Sequence, residues 1–405
     1  MKILIIGGGA AGFFAAINIA EKNPTYEVTI LEKSNKLLSK VKVSGGGRCN
    51  VTNARSTPSE LVNYYPRGHK KLHSLFKAFS TNNMVDWLAK RGVQTKTESD
   101  LRMFPRSDSS QTIIDCFQTA AKKNNVKVLT NKAMNSFYKK GGKWIIETSN
   151  GEHEVDKFII ATGSSPALWK SLEKFGFEIE PPVPSLFTFN ISDERIKGLQ
   201  GLSFDSAAVK ITGTKLEDIG PLLITHWGLS GPAVLKLSAW GAQELNKVNY
   251  QFSILVNYLG ELNSKAAMNL LKKYSETNPK RKVSNYPLFD LPKRFWTQLL
   301  DFCSISAETT FADLSKRQQN KLIEELTQGL YKVKGKSTFK EEFVTCGGVK
   351  LSEIDLNTFE SKRFKNLYLA GEVLNIDALT GGFNFQACWS AAWVISESIK
   401  QQERY

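Results

Sequence analysis

A short aliphatic run at the start of the chain leads directly into a turn with glycine at three fixed positions. Residues 3–6 predict a buried parallel strand, and the apolar residues 13–20 predict a helix. Between them stands Gly7-x-Gly9-x-x-Gly12. Glycines at this spacing allow a tight turn, close approach of the backbone to a diphosphate, and close packing of the helix. This combination limits the first part of the chain to a dinucleotide-binding fold.

A second predicted strand, residues 27–31, ends in Glu32. An acidic residue about 20 positions after the glycines binds the ribose hydroxyls of a dinucleotide. A carboxylate at this point disfavours a 2′-phosphate at the same site. The order of strand, glycine turn, helix, strand and acid predicts a Rossmann-like α/β domain.

Composition excludes several classes of protein. No stretch reaches the ~18–20 uninterrupted apolar residues of a transmembrane helix, and glycines interrupt the apolar N-terminus, so we expect neither a membrane span nor a cleaved leader. The five cysteines are scattered, and neither they nor the four histidines have metal-ligand spacing. We therefore expect no metal site, and a reducing, cytoplasmic environment.

The chain is strongly basic, with a net charge of +15. Residues 264–340 hold 15 Lys and Arg against 7 Asp and Glu, which is about half of the whole excess. Aromatic residues alternate with the charges, as in Lys293-Arg294-Phe295-Trp296. This segment predicts either a helical surface that binds RNA through phosphate contacts and stacking, or a basic helical subdomain whose aromatic side chains form its core.

Three further glycines precede a polar cluster in residues 44–50, which we call the glycine loop. Its sequence is Ser44-Gly45-Gly46-Gly47-Arg48-Cys49-Asn50. Glycines without side chains allow a loop to lie flat against a large ligand, and the following polar side chains favour a cofactor contact.

Three segments define the predicted domains. An Ala161-Thr162-Gly163 sequence ends a strand that closes the first nucleotide domain, and short strands with glycine turns from about residue 187 to 260 predict a small barrel or sandwich. Near the C-terminus, a strand ends in Gly371-Glu372, and residues 377–386 lead into a helix whose dipole could face a flavin pyrimidine. The C-terminus therefore returns to the first domain.

The combined motifs closely resemble the BaiN/RdsA-like (YhiN-type) family of bacterial flavoproteins. The motifs that carry this resemblance are Gly7-x-Gly9-x-x-Gly12, the glycine loop with Thr52-Asn53, Thr225-His226-x-Gly228-Leu229-Ser230-Gly231-Pro232, Val344-Thr345-x-Gly347-Gly348-Val349, Ala370-Gly371-Glu372 and Thr380-Gly381-Gly382-x-Asn384-x-Gln386.

The resemblance implies a fold and a cofactor. It implies an α/β protein with a Rossmann-like FAD-binding domain of glutathione-reductase type, interrupted by a β-barrel domain and a small helical insertion. The expected boundaries are 1–186 and 341–405 for the FAD-binding domain, 187–262 and about 331–340 for the barrel, and 263–330 for the basic helical subdomain. The expected cofactor is non-covalent FAD, with NAD(P)H as a transient reductant because no second dinucleotide motif is present.

The resemblance also implies a set of residues that contact FAD. They are Gly7, Gly9, Ala10, Ala11, Gly12, Glu32, Lys33, Gly46, Gly47, Arg48, Cys49, Asn50, Met134, Ala161, Thr162, Gly163, Gly371, Glu372, Asp377, Gly381, Gly382 and Asn384.

The leading hypothesis is reduction of an activated C=C bond, with uridine in 23S ribosomal RNA as the substrate. Cys49 and His226 are the candidate proton donors, and Arg48 could stabilise negative charge on the flavin or on a uracil oxygen. Each has a simpler interpretation, since Cys49 could be a packed loop residue and His226 could fix the turn before Gly228. The alternatives are a small-molecule oxidase or ene-reductase, acting for example on aminoacetone or a steroid, and a non-catalytic RNA-binding flavoprotein.

Overall fold

The computed structural model of the protein describes residues 1–337 and 344–401. Contacts divide the chain into two units, one of residues 1–183 with the described residues from Val344 onwards, and one of residues 184–337. The predicted return from the barrel to the FAD-binding domain, near residue 340, lies outside the described residues, as do the last four residues.

A mixed sheet forms the centre of the first unit. In spatial order its described strands are Ile354–Asp355, Glu360–Ser361, Leu367–Leu369, Lys157–Ile160, Lys2–Ile6, Glu27–Leu31 and Lys127–Leu129. The last five of these strands are parallel to one another, and the first two pair antiparallel. Four of the five parallel strands are largely buried, as expected of a sheet covered by helices, whereas the edge strand Lys127–Leu129 is mostly exposed.

Helices and small sheets surround this centre. The helices are Ala10–Lys22, Ser39–Gly47, Pro58–Leu61, His73–Ala78, Thr81–Ala89, Ser110–Lys123, Pro166–Lys174 and Phe383–Gln401, with 3₁₀ turns at Val62–Tyr64, His69–Leu72 and Leu351–Glu353. The small sheets consist of Thr52–Asn53, Arg102–Pro105 and Thr95–Thr97; of Met134–Lys140, Lys143–Thr148 and Gly151–Val155; and of Ile179–Ser185 with Val344–Val349.

The C-terminal helix Phe383–Gln401 packs against the first helix Ala10–Lys22. Between them lies an aromatic cluster in which Phe14 contacts Trp87, Phe117 and Trp389 with ring centroids 4.9–6.1 Å apart. The C-terminal helix is therefore part of the first unit.

The second unit contains an antiparallel sheet that closes on itself. Its described strands, in spatial order, are Gly329–Lys334, Gln251–Asn257, Ser203–Ile211, Glu217–Ile224, Gly228–Ser230, Thr188–Asn190 and Lys336–Ser337. Only Gly335 separates the first of these strands from the last. One continuous segment therefore pairs with both ends of the sheet, as the predicted barrel requires.

Five helices belong to the second unit. They are Pro232–Trp240, Ala242–Lys247, Ser264–Thr277, Lys293–Phe302 and Lys316–Gln328, with a 3₁₀ turn at Val283–Asn285. The helices from residue 264 onwards share one hydrophobic core with the sheet. Phe295 and Trp296 are completely buried in that core, because Lys293–Phe302 turns its apolar face inward. These two rings are therefore core residues and not a stacking surface for RNA.

Candidate functional site

The turn at residues 7–12, which we call the phosphate turn, has two glycines packed tightly against backbone atoms and one that faces open space. A Cβ atom at Gly7 would overlap the carbonyl oxygen of Ala161, and one at Gly12 would overlap that of Gly7. At Gly9, by contrast, no atom lies within 4 Å of the corresponding position. Ala10–Lys22 begins here without a side-chain cap, so its N-terminal amides face this space. Such amides, together with the helix dipole, favour an anionic group.

Strand direction brings the predicted residues to one edge of the sheet. Parallel strands that end at Ile6, Leu31, Ile160 and Leu369 have their carboxyl ends on the same side. The phosphate turn, Glu32, Ala161-Thr162-Gly163 and Gly371-Glu372 follow those strands directly. Ligands of open α/β sheets bind at this edge.

The carboxylate of Glu32 is fixed beside the phosphate turn. One oxygen accepts from the N–H of Gly8 at 2.9 Å, and the other accepts from the N–H and the hydroxyl of Ser34 at 2.9 Å each. Since carboxylate oxygens have further lone pairs, Glu32 can still accept from ribose hydroxyls. The neighbouring Lys33 is exposed, and Met134 begins a strand of a separate small sheet.

The glycine loop presents bare backbone to the same region. Gly45, Gly46 and Gly47 have φ angles of +58°, +67° and +83°, and no atom lies within 4 Å of a Cβ position at Gly46 or Gly47. Residues with these backbone angles are strained unless they are glycine. The kinked helix Ser39–Gly47 loses helical geometry at residues 44–46, so the predicted loop begins inside that segment.

Two side chains fix the C-terminal end of this loop. With its amide oriented to match its neighbours, Asn50 accepts from the N–H of Gly382 at 3.0 Å and donates to the carbonyl oxygen of Thr52 at 3.0 Å. Thr52 in turn donates to the buried side chain of Gln386 at 2.7 Å. The glycine loop is thus joined to the segment that begins the C-terminal helix.

Arg48 extends from the glycine loop onto other protein groups. Its guanidinium donates to Glu98 at 2.6 Å and lies over the ring of Phe104, 4.0 Å from the ring centroid. The hydrogen bond to Glu98 raises the pKa of Arg48 above its ordinary value. The proposed role of Arg48 beside the flavin stays a prediction.

Cys49 is completely buried, and burial raises the pKa of its thiol to about 12. The thiol is therefore protonated at neutral pH, with none of its surface open to solvent. A role for Cys49 as proton donor stays a prediction, whereas its packing at the base of the glycine loop is visible.

Glu372 links three segments that are distant in sequence. Its carboxylate forms an ion pair with Lys40 and accepts from the hydroxyl of Ser164 at 3.5 Å. A Cβ at Gly163 would lie 3.9 Å from the same carboxylate. The sequence pointed to Gly163 and Glu372 but not to Lys40, because 332 residues separate Lys40 from its partner.

The loop before the C-terminal helix is fixed by buried polar contacts. Asn384 forms a pair of hydrogen bonds with the backbone of Ala378, at 2.9 and 3.0 Å. A Cβ at Gly382 would overlap the backbone of Thr52. The carboxylate of Asp377 is completely buried and is bound by the guanidinium of Arg67. Contact between Asp377 and FAD stays a prediction, and Arg67 carried no local sequence signal.

His226 belongs to the second unit. It lies in the turn between strands Glu217–Ile224 and Gly228–Ser230, where Thr225 donates from both its N–H and its hydroxyl to the carbonyl of Gly228, at 2.8 and 3.1 Å. Thr225 therefore fixes the turn, while His226 and Trp227 are exposed. Both line a cavity of about 340 Å³.

The first unit has both the open space and the polar groups that FAD requires. No atom lies within 4 Å of a Cβ position at Gly9, Gly46 or Gly47, and Gly9 lies just beyond the end of a parallel strand. Amides at the helix N-terminus there suit a diphosphate, and Glu32 suits a ribose. Within residues 1–337 and 344–401, no cluster of three or more His, Cys, Asp or Glu side chains could hold a metal ion, and no helix has the length and hydropathy of a membrane span.

Known proteins resemble the whole chain. A family model described as the HI0933-like protein Rossmann domain matches residues 1–398. A ribosomal RNA dihydrouridine synthase of Escherichia coli (strain K12) is 28% identical to this chain, and the alignment covers 98% of this chain and 97% of the relative. A 3-dehydro-bile acid delta(4,6)-reductase of Clostridium scindens is 25% identical and covers 99% of both chains.

A solved structure supports the same fold. The 3-ketosteroid delta1-dehydrogenase of Sterolibacterium denitrificans superposes with a TM-score of 0.52 at 10% identity, covering 99% of both chains. At this identity, the likeness concerns the fold alone.

Proposed function

The chain belongs to the HI0933-like family of Rossmann-domain proteins and is an FAD-dependent oxidoreductase, and we propose that it reduces an activated C=C bond. The leading substrate is a uridine in 23S ribosomal RNA, which would become dihydrouridine. The full-length likeness to a relative named ribosomal RNA dihydrouridine synthase supports this choice of substrate. Such a substrate implies that the protein acts in the cytoplasm.

The first unit supplies the groups that would hold the cofactor. We infer that the phosphate turn and the N-terminus of Ala10–Lys22 bind the diphosphate, and that Glu32 accepts from the ribose hydroxyls. The bare backbone of Gly46 and Gly47 would lie along the flavin. The ribitol and the pyrimidine edge of the flavin would lie near Gly371, Glu372 and the N-terminus of Phe383–Gln401.

When bound and reduced by two electrons, FAD would supply a hydride, which for uracil would add to C6. The protein must orient the base, exclude water and deliver a proton to C5. His226 has an exposed side chain beside a cavity, whereas the thiol of Cys49 is protonated but buried. Both residues therefore stay candidates for the group that supplies the proton.

The electron donor is proposed to be NAD(P)H that binds transiently. The sequence has one G-x-G-x-x-G motif at residues 7–12, which we assign to FAD. A second dinucleotide would therefore have no glycine turn of its own, and a short-lived complex at the flavin face is the simplest arrangement.

A small-molecule C=C reductase is the second candidate. The relative named 3-dehydro-bile acid delta(4,6)-reductase, similar over its full length, favours it. Under this reading the basic surface of the second unit has no part in catalysis.

Mass-spectrometric mapping of 23S ribosomal RNA from the native host tests the first proposal. We expect a uridine that is 2 Da heavier in the parent strain, absent after deletion, restored by the wild-type gene and not by Gly12→Ala, whose FAD site cannot form. Identical RNA in the parent and deletion strains would overturn the ribosomal substrate. Reduction of a conjugated steroid ketone by the purified holoenzyme would then support the second candidate.

A further inference from the structure

The cavity beside His226 has features that the proposed reaction does not explain. Its volume is about 340 Å³, which is within the range of about 300–1,000 Å³ typical of small-molecule sites. The turn at residues 225–228 forms one wall, and the segment from Asn190 to Lys197 forms another. All of its lining residues belong to the second unit.

Trp227 presents an aromatic face at this cavity. Its side chain is 56% exposed, the largest value among the bulky apolar residues of the described chain. The turn that carries it is held by the backbone and side-chain bonds of Thr225, including one from the N–H of Trp227 to the Thr225 hydroxyl at 3.2 Å. An exposed indole on a turn with a fixed backbone is suited to stack on a flat ring, and stacking on aromatic side chains is a common way for proteins to bind unpaired bases.

Asn190 lines the same cavity and carries an unsatisfied polar atom. Its Oδ1 atom is buried and has no hydrogen-bond partner among the described residues. A buried acceptor without a partner is costly, so a ligand that donates to it would be favoured. An amide side chain offers both an acceptor and a donor, which matches the N3–H and a carbonyl oxygen of uracil.

Charges around the cavity favour an anion. Lys197 and Lys334 line it, and both are exposed. Two acidic residues also line it: Asp193 is bound by Arg195 at 2.7 Å, and Glu194 forms an exposed ion pair with Lys197 at 3.0 Å, so the excess positive charge among these side chains comes from Lys334. The basic segment of residues 264–340 adds to the positive charge of this unit. Lysines beside an aromatic face suit a strand of linked nucleotides.

We propose that this cavity binds one unstacked uridine nucleotide of single-stranded RNA. Trp227 stacks on the base, Asn190 bonds to its edge, and Lys334 contacts a phosphate of the strand. The choice of RNA rests on the proposed function, whereas the recognition of a uridine strand can be measured without any turnover.

The test is binding of a fluorescein-labelled oligo(U) octamer to the FAD-loaded full chain, followed by fluorescence anisotropy. Trp227→Ala should weaken binding roughly 5- to 100-fold, and Trp227→Phe should restore most of it. The matched control is Trp240→Ala, which removes another exposed indole of the second unit (37% exposed) and should leave affinity unchanged. FAD content and thermal unfolding of each variant check that the fold is intact.

The outcomes separate this proposal from the proposed function. Equal affinity for wild type and Trp227→Ala, or equal losses in the Trp227 and Trp240 variants, would overturn the cavity as the binding site. Competition by UMP as strong as by unlabelled octamer would overturn the RNA strand in favour of a free nucleotide. If the ribosomal RNA of the deletion strain is unchanged but Trp227→Ala selectively loses octamer binding, the cavity stands and the ribosomal substrate falls. If the deletion strain loses the modified uridine but Trp227→Ala binds the octamer normally, the ribosomal substrate stands and the cavity is overturned as the binding site.

Discussion

The guanidinium of Arg67 donates to both carboxylate oxygens of Asp377, across 310 residues of sequence. The Asp377 side chain is completely buried, and that of Arg67 is 13% exposed. This pair fixes the segment that leads into the C-terminal helix, and therefore the position of Gly381 and Gly382.

Removal of Arg67 should be costly for stability. Arg67→Ala removes the guanidinium that neutralises a buried carboxylate, so we expect the free energy of unfolding to fall by about 3–5 kcal/mol. Urea denaturation measures this. The control is Glu21→Gln, which breaks the Arg91–Glu21 pair, whose side chains are 19% and 34% exposed, and should cost about 0–1 kcal/mol. Similar losses in the two variants would contradict a special role for Arg67.

A substitution in the phosphate turn can separate an effect on FAD binding from an effect on folding. Gly9 has φ −96° and open space around it, so Gly9→Ala should fold normally. Its methyl group would occupy the space assigned to the diphosphate, and we expect most of the bound FAD to be lost. Visible flavin absorbance of the purified protein measures this loss. A Gly9→Ala protein with wild-type FAD content would show that the diphosphate binds elsewhere.

Buried thiols should make the protein sensitive to alkali. Burial raises the pKa of Cys49, Cys303 and Cys388 to about 12 each, above the ordinary value of about 8.5. Each thiol therefore contributes stability that is fully present below about pH 8.5 and is lost as the pH rises towards 12. Between about pH 8 and pH 10, the free energy of unfolding should fall by roughly 1–2 kcal/mol for each such thiol.

The variant Cys49→Ala isolates the contribution of one thiol. Its stability at pH 8 can differ from wild type for reasons of packing, so the comparison is the further decrease on going to pH 10. We expect the free energy of unfolding to fall less in Cys49→Ala than in wild type, by the roughly 1–2 kcal/mol that one thiol contributes. An identical decrease in both proteins would mean that Cys49 titrates normally.

The basic helix of the second unit should determine the salt dependence of RNA binding. Lys272 and Lys273, on helix Ser264–Thr277, and the nearby Lys280 are exposed. If all three contact phosphates, changing them to Gln should reduce the slope of log affinity against log salt by about 2. Replacing Lys122, Lys123 and Lys127 of the first unit removes the same charge and should leave the slope unchanged. Equal slopes in all three proteins would place the RNA elsewhere.

Local patterns determined much of the fold. The strands at residues 2–6 and 27–31, the helix that follows the phosphate turn and the return of the C-terminus were predictable, because glycine spacing and hydrophobic periodicity act between near neighbours. The same patterns identified Gly9, Gly46 and Gly47, whose lack of a side chain matters only at a close approach. Which of these residues contact FAD stays a prediction.

The tertiary structure decided which side chains face which partners. Lys40 meets Glu372 and Arg67 meets Asp377 only because the chain path brings segments more than 300 residues apart together. The sequence left open whether Phe295 and Trp296 are surface rings or core residues, and the orientation of their helix buries them. Trp227 carried no signal of its own in the sequence motif, and only the fold shows that it is exposed beside a cavity. Sequence defines local conformation and composition, whereas burial and long-range pairing depend on packing that no local pattern contains.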